Sequence, residues 1–354
     1  MAQRWPSILA ITFCLAVSAG ATPEARRPLE RLFTPVGDFN LGAATSRTDY
    51  QSIDPVARRL YIAKMGAGQL LVFDIDKNKL LNQLDGFPKI TGVLAVPGLH
   101  RVYASVPGAG LVSSLIVGLG MAGLSSGDGA IAVLDADTLK EIARLPGGVF
   151  PDGIAYDAIE QRIFVSDELG SAVSVIDAKT SRPIARIDTG GEVGNVRYDP
   201  ISSRVYAPIQ SHNQIVAIDP VKLVPVAHYA LDGCQHPHGL AIAPGAAVGY
   251  AACDANDVLL TVDLSTGKVL GRQPVGHDPD VLAVDPDAKR LYVASESGTL
   301  STFDLSNVRS PKPLGDVFVG DGAHAVAVDL ISHRLYFGIA NLNGRSMLRV
   351  LAPR

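Results

Sequence analysis

One tryptophan, three cysteines and a charged fraction of only 19% are spread over 354 residues. The single indole, Trp5, lies close to the N-terminus, so the rest of the chain has no tryptophan. This argues against tryptophan platforms for sugar rings or single-stranded bases, and against the Trp-Asp signature of WD40 blades. Positive charge is scarce too: the formal net charge is -4. Nonspecific phosphate binding comes from clustered Lys and Arg displacing counterions, so no nucleic acid is expected as a partner. Neither a P-loop nor a haem C-x-x-C-H motif is present.

Long apolar runs are also missing. The N-terminal run, Ile8 to Val17, is too short for a bilayer span. With Arg4 before it and Ala19, Gly20 and Ala21 after it, the layout over residues 1–21 is that of a secretory signal peptide. Its removal leaves residues 22–354 as one domain without a transmembrane span, at a formal charge of -4 - 1 = -5. The expected location is periplasmic or secreted. Cys14 leaves with the leader. Cys234 and Cys253 remain and can form a disulfide in an oxidising compartment. Alternatively, the Cys-x-His-x-His order of CQHPHG (234–239) can ligate copper or zinc.

What the chain has in quantity is turn residues, 35 Gly and 23 Pro, and a repeat. A short apolar strand ending in Asp (PDGIAYD, PDVLAVD, AHAVAVD) precedes an aromatic strand (RIFVS, RLYVA, RLYFG), a third strand such as AVSVIDAKT, and a fourth such as PIARIDTGG. Aligned on the Arg-apolar-aromatic step, the first strands end at Asp54, Val96, Asp157, Asp199, Ala243, Asp285 and Asp329, at spacings of 42, 61, 42, 44, 42 and 44. Seven four-stranded units at this period specify an all-β, seven-bladed β-propeller. The last unit stops one strand short, and the segment RLFTPVG (31–37) parallels a fourth strand elsewhere. An N-terminal strand is therefore expected to close the ring, which also covers the edges that seed association. The expected state is a monomer.

These units resemble the YVTN-family β-propeller repeat, most closely in FVSDELGSAVSVIDAKTSRPIARIDTGG (164–191). The eponymous Asn is replaced by Asp167 in blade 3 and by Cys253 in blade 5. The resemblance implies a fold and records how blades pack. Seven-bladed lactonases and a metal-dependent lyase share the architecture, but no motif transfers their catalytic residues to this chain.

Propeller topology places the entry to each innermost strand on one face of the ring, at the channel mouth. The position five residues before each alignment point reads Asp49, Thr91, Asp152, Gly194, His238, Asp280 and His324. His212, His236 and His277 fall on loops of the same face. Imidazoles and carboxylates converging on a narrow mouth suit one divalent metal ion or acid-base chemistry; structural turn residues are the plainer reading. The candidate ligand-binding residues are Asp49, Asp152, Asn195, His238, Asp280 and His324, and the metal set is Asp49, Asp152, His238, Asp280 and His324. His238 and His324 are the candidate catalytic bases. The insertion at 107–129, apolar and rich in Gly, emerges on this face as a lid, a docking flap or a packed loop. The favoured function is a binding or scaffold protein that takes a small molecule, a metal or a protein at the channel mouth. The alternative is a metal-dependent, lactonase-like hydrolase or lyase.

Overall fold

The structure, a computed structural model, describes residues 29–42, 46–108 and 127–354. The expected signal peptide lies outside these residues, as does most of the 107–129 insertion. The ends of that insertion join Arg101–Val106 to Gly129–Asp135, the second and third strands of blade 2.

Seven antiparallel sheets of four strands make up the ring. In chain order the innermost strands are Gln51–Asp54, Val93–Val96, Pro151–Asp157, Arg197–Asp199, Pro237–Ile242, Pro279–Asp285 and Ala327–Val328. The alternation of burial explains the layering. Second and third strands, such as Arg162–Asp167 and Ala172–Asp177, are buried on both faces because each blade is sandwiched between two others. Fourth strands, such as Arg182–Asp188, are largely exposed at the rim. Among the described residues only short 3-10 turns interrupt the strands, and no helix is long and apolar enough to cross a membrane.

The expected closure is present. Phe33–Asn40 pairs antiparallel with Arg345–Pro353, from Phe33 opposite Pro353 to Asn40 opposite Met347, and becomes the fourth strand of blade 7. Arg349 grips Asp38 through two hydrogen bonds at 2.8 and 2.7 Å across that pair. On the blade 1 side, Arg58 makes a forked pair with the buried Asp329 of blade 7 at 2.8 and 2.7 Å.

The repeated aromatic of the second strand is buried in every blade: Tyr61, Tyr103, Phe164, Tyr206, Tyr250, Tyr292 and Tyr336. Its hydroxyl can reach the next blade. Tyr103 donates to the Ala178 carbonyl at 3.3 Å, and Tyr250 to that of Val308 at 2.8 Å. The Asp residues that end strands accept turn N–H groups: Asp54 from Val56 and Ala57, both at 2.8 Å, and Asp177 from Lys179 and Thr180 at 3.0 and 2.8 Å. Their carboxylates are engaged in ending strands.

Asp167 and Cys253, at the ends of the second strands of blades 3 and 5, tie entry loops down in different ways. Asp167 accepts the Val149 and Phe150 N–H groups at 2.9 and 2.7 Å, with Arg186 at 2.7 Å from its second oxygen. Cys253 is disulfide-bonded to Cys234. With Cys234 so engaged, the CQHPHG residues do not converge on a common point: His236 turns to Asp254 and Glu192, while His238 enters the channel.

Candidate functional site

The mouth is narrow because its backbone is crowded. The residue after the aligned position is Gly in blades 2, 3 and 5. A Cβ on Gly92 would lie 2.0 Å from the Asp152 carbonyl oxygen, and one on Gly239 2.0 Å from that of Asp280. Side chains are excluded there so that neighbouring entry loops can touch. Gly239→Ala is therefore expected to cost about 1–3 kcal/mol of unfolding free energy. Gly271→Ala, with nothing within 4 Å, is the control and should change it by less than about 0.5 kcal/mol in the same urea titration.

Into this ring project the expected residues, in two groups. Asp49, Asp280 and His324 form the first, each offering one ligand atom within 4.8 Å of the others. His324 Nε2 is 3.5 Å from Asp49 Oδ1 and 3.9 Å from Asp280 Oδ2. Its Nδ1 donates to the Gly322 carbonyl at 3.0 Å, which orients the ring and points Nε2 at the two carboxylates. Burial opposes protonation of this ring. The Asp49 contact and the charges of Asp280 and Asp49 outweigh burial and raise its pKa to about 9.

The second group is Asp152, Asn195 and His238, gathered by the buried Tyr50. The phenol donates to Asn195 Oδ1 and lies 3.3 Å from Asp152 Oδ2 and 3.5 Å from His238 Nε2. His238 Nδ1 is held by Gln210 Oε1 at 3.2 Å, and its Nε2 is 3.3 Å from Asp280 Oδ1. That last contact is an ion pair without hydrogen-bond alignment, so Asp280 Oδ1 is left with no aligned donor. Asp280 therefore joins the two groups.

The charges are unevenly held. Burial, then Glu168 and Asp49, push the Asp152 carboxyl well above the usual range, with His238 opposing. Burial likewise raises Glu168 against His238 and Gln210. Burial would raise Asp280 too, but the His238 contact and the charges of His238, His324 and Arg47 hold it below the usual range. Burial works against protonation of His238, yet Asp280, Glu168 and Asp152 keep it well above a free imidazole. The mouth thus pairs an ionised Asp280 with an Asp152 that resists ionisation.

Thr91 turns its hydroxyl to the Pro151 carbonyl at 2.8 Å and stays out of both groups. His236 and His277 sit further out on Asp254 and Asp257, and His212 is exposed. Sequence reasoning missed Arg47, Tyr50, Glu168, Gln210 and Glu296. Three of these share one register. Glu168, Gln210 and Glu296 each immediately follow their blade's second strand, so the alignment that found the first ring of residues also contains the second. Arg47 Nη2 is paired with Glu296 at 2.6 Å and lies 3.3 Å from His324 Nε2, at the solvent side of the cluster.

No protein-family model and no curated protein sequence matches the chain. Solved structures do. A chain of Kuenenia stuttgartiensis hydrazine synthase superposes with TM-score 0.70 at 15% identity, over 87% of this chain and 96% of that one. A chain of a mitotic checkpoint complex gives 0.72 at 11%, over 97% and 99%. The WD40 repeats of RRP9 give 0.74 at 8%, over 91% and 100%. At these identities the likeness establishes the propeller fold and nothing of the chemistry.

Proposed function

We propose that this propeller is an exported binding protein, built from YVTN-type blades, whose channel mouth captures a divalent cation through Asp49, Asp280 and His324. One observation carries the reading. A buried imidazole with Nδ1 committed to a backbone carbonyl aims its remaining nitrogen at two buried carboxylates. Three such groups are satisfied either by a proton on Nε2 or by a cation between them.

Donors around an ion at 2.0–2.3 Å stand about 3 Å apart, so these side chains, now within 4.8 Å of one another, need to close by up to about 2 Å. The mixed N/O donor set suits Mn or Zn better than Mg. Arg47 must swing away from His324, which its partly exposed position and its pairing with Glu296 allow. The Cys234 to Cys253 bond agrees with export to an oxidising compartment.

Titration with MnCl2 is expected to show one site per chain, and Asp280→Asn to weaken it at least thirtyfold. Protein that binds no Mn or Zn at millimolar concentration would remove the proposal. A second reading, a metal-assisted hydrolase or lyase, is favoured by Asp152. A carboxyl kept from ionising beside His238, next to a cation site, is placed to give a proton to a leaving group. Turnover of simple lactones that is lost in Asp152→Asn with Mn binding intact would select it.

A further inference from the structure

Along the axial channel, lined by residues of the innermost strands, lies a partly open chamber of about 460 Å3, within the range of small-molecule pockets. Its lining includes none of the mouth carboxylates or histidines. Tyr50 belongs to both spaces: it lines the chamber while its hydroxyl is bonded to Asn195 in the group above. The walls mix polar and apolar surface, the apolar part including Leu94, Ile154, Leu282 and Val326 from four different blades. Among the lining residues Arg197 alone is charged.

Arg197 starts the innermost strand of blade 4 and is poorly served by the protein. A guanidinium carries five N–H donors and stays protonated. Among the described residues its one hydrogen bond runs from Nη1 to the Val196 carbonyl at 2.9 Å. Asp152 and Asp280 act on it through their fields without an ion pair, and burial works to lower its pKa. A half-buried guanidinium with a single hydrogen bond to the protein, and the one charge on the cavity lining, has donors left to take an anion from the cavity.

We propose that the chamber is a second binding site, for a small molecule that carries one anionic group and an apolar body, its anion on Arg197 and its body against the Leu94, Ile154, Leu282 and Val326 walls. The site is independent of the cation proposed at the mouth, so each can fail without the other.

Calorimetric titration of the full chain in EDTA, with octanoate, 1-octanol and acetate as probes, tests it. Octanoate is expected to bind once per chain, at least tenfold tighter than octanol, which lacks the charge, and acetate, which lacks the body. Arg197→Gln should bring octanoate down to the octanol level. Should that variant not fold, Leu94→Trp, which fills the chamber, is expected to abolish octanoate binding. The proposal is overturned if octanoate does not bind, if it binds no tighter than the other two probes, or if it is unaffected by whichever variant keeps the native melting transition.

Discussion

A chain that lacks Phe33–Asn40 is expected to lose its cooperative unfolding transition. The deletion strips the partner from Arg345–Pro353, breaks the Arg349 to Asp38 fork and empties the site of Phe33, which is 1% exposed. Phe33→Ala alone should cost about 3–5 kcal/mol. A domain has only about 5–15 kcal/mol of net stability, so removing the whole strand exhausts it. Urea unfolding followed by far-UV circular dichroism checks this. A single sharp transition retained in the truncated chain would mean that blade 7 stands on three strands and that the ring closes by blade contact alone.

The second large effect concerns pH. His324 binds a cation only after losing its proton, and its pKa is raised to about 9. Mn affinity is therefore expected to rise about a hundredfold from pH 6 to pH 8, tenfold per unit. Stability of the metal-free protein runs the other way. A histidine whose folded pKa is raised contributes fully below its unfolded value near 6.5, and that contribution, at most about 3 kcal/mol, is lost as pH rises toward 9. His236, also raised to about 9 by Asp254 and Glu192, adds to the same slope. Comparison with His324→Asn isolates the term of interest. Denaturation series at pH 6, 7 and 8, with and without MnCl2, should show in the wild type a stabilisation by Mn that grows with pH and offsets the His324 part of the metal-free decline, and neither effect in the variant, which keeps only the His236 slope. A metal affinity that does not change with pH would show that His324 is not a ligand.

The mouth was largely readable in the sequence because the ring repeats one backbone position seven times. Once the strand ends were aligned, Asp49, Asp152, His238, Asp280 and His324 fell out together, and the structure brings all five to the axis. Tyr50 was not readable in this way. Its equivalents are Gly92, Gly153, Asn195, Gly239, Val281 and Ala325, so no repeat signal marks it. Its importance comes from the space those small residues leave: one long side chain crosses the axis to Asn195, Asp152 and His238. Arg197 was missed for a similar reason. A single cation on an inner strand gains meaning only when the other walls prove uncharged, and a one-dimensional reading holds no information about that.

The division of His324 from the other histidines is likewise three-dimensional. His277 and His324 both lie on entry loops, yet one is mostly exposed beside Asp257 and the other is buried to 1%. What separates them is the side of the loop that faces the axis.

Asp280, His324 and Asp49 belong to blades 6, 7 and 1. The three donors come from the end and the beginning of the chain and sit on either side of the join where the two are stitched. During synthesis the first donor therefore waits for the last two, and the three meet only when the final blade docks. A cation so placed would act as a clasp, and its retention would report that blades 6, 7 and 1 have come together.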